Sequence, residues 1–145
     1  MEQTKKHLKM SSIIVLIFAG VSLLNIVSAL LFGDFNSVDI PNGAPLNIVE
    51  ITKIILLVVS LLCLLPRVYV GVKGLRVVKN PDSSKAHIVW ATIIFVITII
   101  GMISPVLKIV QQTDVSDNVS SLLDGLLNAV IYFEYIKYAK QLKVN

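Results

Sequence analysis

Four long apolar stretches alternate with short polar ones along this chain. Met10 to Gly33 runs for 24 residues without a charge. A helix rises about 1.5 Å per residue, so that run is long enough for a hydrocarbon layer of ~30 Å. Asn47 to Val70 is a second stretch, interrupted by Glu50, Lys53 and Arg67. Ile88 to Leu107 is a third, with 20 uncharged residues. The fourth, Leu122 to Tyr138, is the weakest by hydropathy because it holds Asp124 and Glu134. Between them lie "GDFNSVDIPNGAP", "KNPDSSK" and "QQTDVSDN", whose Gly, Pro, Asn, Asp and Ser content marks turns.

The pattern predicts an all-α chain, an integral membrane bundle of four transmembrane helices. It forms one domain over residues 1–145, with spans near 10–33, 47–78, 87–110 and 119–140. The second span is expected to continue as a cytoplasmic extension. Val68 to Val78 holds no breaker except Gly71 and Gly74, and Asn80-Pro81 then stops the helix. Pro66 and Pro105 each lack a backbone donor and are expected to bend their helices.

Composition supports lipid as the solvent. Of 145 residues, 55% are hydrophobic and 15% charged, too few charges to cover a water-soluble core. The net charge of +4 would suggest an anionic partner if it were spread evenly, but it is segregated. With the N-terminus inside, 11 of the 13 basic residues fall at or near the inner face, and Lys53 and Lys108 do not. Six of the nine acids fall outside: Asp34, Asp39, Glu50, Asp114, Asp117 and Asp124. The positive-inside rule therefore places both termini in the cytoplasm of a multi-pass protein, N-in/C-in. Tyr69, Trp90, Tyr135 and Tyr138 fall near the same inner interface, where amphipathic rings collect. Lys5, Lys6 and Lys9 before an apolar run resemble a signal peptide, with Val27-Ser28-Ala29 as an acceptable cleavage site. The run is long for a signal core, so it is read as a retained span.

Orientation explains the basic hairpin. Lys73, Arg76, Lys79 and Lys85 are read as topology charges that touch anionic lipid headgroups. "GVKGLRVVKN" lacks the glycine spacing and the Gly-Lys-Ser/Thr ending of a phosphate loop. Nothing in the chain points to nucleic-acid binding.

Polar groups at depth are the default candidates for a site. Glu50, Lys53, Lys108 and Asp124 fall within about two turns of the outer surface, with Asn25 and Asn128 deeper. Together they are expected to form a ligand-binding polar cup in the outer half of the bundle. Each also has a plainer reading. Ser121-Leu-Leu-Asp124 fits a capping box, the two lysines can reach the headgroups, and the asparagines can bond between helices. Arg67 and Glu134 reach similar depths and form a candidate structural ion pair. Ser121, Gly125 and Ala129, four residues apart, make a small-residue ridge for helix packing. Span one carries Ser22, Asn25 and Ser28 at three-residue spacing.

No catalytic residues are identified. The chain has no His-Glu-x-x-His, no nucleophile elbow and no acidic metal–nucleotide motif. His87 is read as an interfacial polar residue. Cys63 is read as a small hydrophobe, since one thiol makes no internal disulfide. No metal or cofactor is expected. The leading expectation is a small non-enzymatic membrane protein that acts as an accessory subunit. Its partners would be membrane lipids and either further copies or a larger membrane complex. The alternatives are a small-solute or ion transporter using the outer cup, and an anionic-lipid-binding protein using the inner basic rim.

Overall fold

The computed structural model describes residues 1–32, 46–80, 85–111 and 115–144. These form α1 (Glu2–Phe32), α2 (Leu46–Lys79), α3 (Ala86–Gly101), α4 (Ile103–Val110) and α5 (Val115–Val144), with no strand among the described residues. The helices make four segments long and apolar enough to cross a membrane: Glu2–Leu31, Glu50–Lys79, Ala86–Val110 and Val115–Leu142. Asp34, Asp39, Pro81 and Asp114 lie outside the described residues.

The third segment is α3 and α4 in line, broken at Met102. Proline at 105 has no N–H to return to the Gly101 carbonyl, one turn back. The chain tightens just there: the Met102 N–H bonds to both Thr98 O at 3.1 Å and Ile99 O at 3.2 Å. The bend expected from Pro105 thus appears as a break in the preceding turn. α2 absorbs Pro66 without interruption. It ends as the Asn80 N–H bonds to Arg76 O at 2.9 Å.

α1 packs along α2 and α5, α3 packs on α5 and α2, and α4 rests on α5. The buried core is Leu8, Val15, Val70, Val77, Ile88, Ala91, Ile94, Tyr132, Tyr135, Ala139 and Leu142. All of these lie in the half of the bundle that carries the basic residues.

The tightest point of the core joins three helices. Gly74 of α2 has no side chain, and Ser12 of α1 and Tyr135 of α5 fill the space. A Cβ at Gly74 would sit against Ser12 Oγ, 2.6 Å from Tyr135 Cε2 and 2.8 Å from its Oη. A Cβ at Gly71 would be 2.6 Å from Leu16 Cγ. The sequence reading treats these glycines as possible helix breakers. In the folded chain they are where backbones approach most closely. The Tyr135 hydroxyl donates to Val70 O at 3.0 Å, across 65 residues of sequence. The Ser12 hydroxyl donates to Leu8 O at 2.7 Å in its own helix. His87 is buried, with its ring edge-on to Tyr135 at 6.1 Å. His87 and Tyr135, expected near the inner interface, face the bundle side of their helices. Both rings sit inside the core, Tyr135 fully buried. Trp90 is exposed, and Tyr69 and Tyr138 are half-buried.

Candidate functional site

Helical periodicity defines which side of each helix faces the bundle. On α5, Ser121, Asn128, Tyr135 and Leu142 recur every seven residues, with Asp124 and Ala139 beside them on the same face. Tyr135, Ala139 and Leu142 are buried, Asn128 is half-buried, and Ser121 and Asp124 are exposed. On α2, Lys53, Ser60, Arg67 and Gly74 also recur every seven residues. Gly74 is buried and Ser60 is exposed. Each inward stripe is thus covered at the basic end and open at the other. Among the described residues, none in 20–31, 50–63 or 95–128 is buried.

A groove of about 300 Å³ opens between α1 and α2 where the covering stops. α1 contributes Ser22, Asn25 and Ile26, and α2 contributes Ser60, Cys63, Leu64 and Arg67. Arg67 Nη1 donates to Ser22 Oγ at 3.4 Å, a long bond that leaves most of the guanidinium's five donors for other acceptors. None of the described residues that line it is a carboxylate.

Its place along α2 makes this arginine notable. Lys53 and Lys73 on α2 are 20 residues apart. That is ~30 Å of helix, the thickness of a hydrocarbon layer. Arg67 lies between them, about 9 Å of rise from Lys73. An arginine at the centre of a lone membrane helix costs about 2.5–3.5 kcal/mol on insertion scales, so such residues face a polar cavity or a partner.

The proposed outer cup is spread over several sites. Asn25 lines the Arg67 groove. Asn128 donates from Nδ2 to Asp124 O at 2.9 Å, on its own helix. Glu50, Lys108 and Asp124 are exposed, and Lys53 is half-buried. Lys53 and Asp124 do share the inward stripes of their helices. Arg67 reaches Ser22, whereas Glu134 is exposed on α5. The capping-box reading of Ser121 and Asp124 is corrected, because α5 begins earlier, at Val115. Ser121 Oγ donates back to Asp117 O at 2.9 Å in the helix interior.

In the small-residue ridge, Ala129 is buried and Ser121 is exposed. A Cβ at Gly125 would lie 2.7 Å from Met102 Cγ, so Gly125 seats the broken third segment on α5. Of the basic hairpin, Arg76, Lys79 and Lys85 are exposed, and Lys73 Nζ stands 6.0 Å over the Tyr69 ring. Lys5, Lys6 and Lys9 line a second groove beside Val78, which adds to the basic rim.

Sequence reasoning does not single out Ser60 or Cys63. The seven-residue recurrence of Lys53, Ser60, Arg67 and Gly74 is the signal that would have found them. Among the described residues no three His, Cys, Asp or Glu side chains gather into a metal-binding group. No family model, curated protein or solved structure matches the chain.

Proposed function

We propose that this chain is a small, non-enzymatic multi-pass membrane protein with both termini in the cytoplasm. It assembles with other membrane helices, as a subunit of a homo-oligomer or of a larger membrane complex. One observation carries the reading: the inward stripes of α2 and α5 are buried at the basic end, while Ser60, Ser121 and Asp124 on the same stripes are exposed. Lipid tails are as apolar as leucine, so exposed Ser60, Ser121 and Asp124 gain nothing from lipid. They gain hydrogen bonds and close packing from another helix.

Native mass spectrometry of the full chain released from lipid nanodiscs tests this. The expected result is a discrete higher-order species, reduced by Ser60→Leu, which places bulk on the open stripe. Cys63, the single cysteine, is exposed beside that stripe. In a homo-oligomer a short dithiol-reactive linker should join copies through it. A strictly monomeric chain in native lipid, with no co-purifying membrane protein, would remove the proposal.

A second reading is a small-solute or ion transporter. It is favoured by the placing of Lys53, Asp124 and Asn128 on stripes that face the open half. Reconstituted liposomes decide it. Flux should appear and should fall with Asp124→Asn, and flux indifferent to that change rejects the reading.

A further inference from the structure

We infer that the groove between α1 and α2 is a binding site for the carboxylate of a long-chain acid, held by Arg67 inside the bundle. The charge requirement comes first. Arg67 is half-buried, and its only hydrogen bond among the described residues is the long one to the Ser22 hydroxyl. A buried cation without a counter-anion is costly in an apolar setting. Among the described residues the groove supplies no carboxylate.

The remaining wall is built to complete an anion site. Ser22, Asn25 and Ser60 bring two hydroxyls and an amide beside the guanidinium, all able to donate to carboxylate oxygens. Ile26 and Leu64 supply the apolar part of the wall. The volume of about 300 Å³ is at the lower end of small-molecule sites. It exceeds what a single Asp or Glu side chain from a neighbouring helix would fill. On the groove's face of α2 the helix continues through half-buried Leu56 and Leu57, along which an alkyl tail can lie.

Depth selects the acid class. A carboxylic acid enters hydrocarbon as the neutral form and ionises beside the guanidinium, releasing its proton to bulk water. A phosphodiester headgroup cannot shed its charge in that way, and a small free anion has no apolar tail for the mouth. The groove shares Ser60 and Cys63 with the stripe proposed for assembly, so the measurement is read on the monomeric species: oleate held there supports the site whether or not copies assemble.

Titration of the detergent-solubilised full chain with oleic acid, read by native mass spectrometry, tests the inference. Oleyl alcohol, acetate and inorganic phosphate serve as comparisons. The expected result is one saturable oleate per chain, bound at least ~10-fold more weakly by Arg67→Gln, with the alcohol failing to saturate. Asn25 is exposed, so Asn25→Leu leaves the packing intact and should also weaken oleate several-fold. It keeps the test decisive if Arg67→Gln loses helicity. Equal binding of acid and alcohol overturns the inference, as does oleate binding unchanged in Asn25→Leu and in a folded Arg67→Gln. Displacement of oleate by acetate or phosphate at equal concentration would instead assign the groove to a soluble anion and overturn the long-chain acid.

Discussion

Replacing Gly74 with alanine adds one methyl group at the point where α1, α2 and α5 meet. On an isolated helix the change is favourable by up to about 1 kcal/mol, since alanine is the better helix former. The folded chain reverses the sign. The new Cβ would stand against Ser12 Oγ and 2.6 Å from Tyr135 Cε2, closer than van der Waals contact allows. Tyr135 is fully buried, so its ring has no free volume to move into. Overpacking of this kind costs about 1–3 kcal/mol. If the ring shifts, its bond to Val70 O is lost as well, a further ~0.5–1.5 kcal/mol. With a helix gain near 1 kcal/mol, the net loss is roughly 0–2 kcal/mol if the bond survives and roughly 0.5–3.5 kcal/mol if it is lost. The matched control is Gly20→Ala, where an added Cβ meets nothing within 4 Å. That variant should be neutral or slightly more stable. Reversible unfolding in mixed micelles, followed by far-UV circular dichroism, gives both values on one scale. A Gly74→Ala chain as stable as the Gly20→Ala chain would refute the three-helix contact.

Three other outcomes are expected. Tyr135→Phe should destabilise by about 0.5–1.5 kcal/mol in the same assay, and should partly offset Gly74→Ala in a double-mutant cycle, because the hydroxyl is one of the crowded atoms. Gly125→Leu should cost about 1–3 kcal/mol by colliding with Met102, and shortening that side chain through Met102→Ala should recover part of the loss. Because Gly125 meets Met102 within the chain, its variant reports internal packing and not assembly. A cysteine at Lys85, in a Cys63→Ser background, should react with membrane-impermeant maleimide only after the cells are opened, and labelling of intact cells would overturn the N-in/C-in topology.

The helices were largely legible in the sequence because hydropathy and charge act over whole spans. An uncharged run such as Met10 to Phe32 has no other stable form in an apolar solvent than a helix, and the missing donor of Pro105 marks the break in the third segment. The neighbours of each face were far less legible. An apolar side chain reads the same whether lipid or protein covers it, so nothing separates Ile94, which is buried, from Ile93, which is exposed. Tyr135 shows the difficulty at one residue. Its ring suits a membrane interface and equally suits a core with one free acceptor. Only the fold places Val70 O within reach. Ser121 and Asp124 carried the capping spacing without the helix start that gives it meaning. Arg67 was identified by depth, but its contact lies on α1, 45 residues earlier, and no local pattern indicates Ser22.

The groove follows from how side-chain size changes along one stripe of α2. At Gly74 the stripe has no side chain, and neighbouring atoms fill the space. Seven residues on, Arg67 occupies the same face with a long cation that apolar packing cannot enclose. It donates to the Ser22 hydroxyl at 3.4 Å, so polar ends join the two helices there beside Ile26 and Leu64. A further seven residues on, Ser60 is too small to fill the space that Arg67 holds open. Glycine, arginine and serine at one register therefore produce close contact, then separation, then a cavity. The open half is encoded by the same seven-residue recurrence that closes the basic end, and a stripe of leucines at 60 and 67 would be expected to close both.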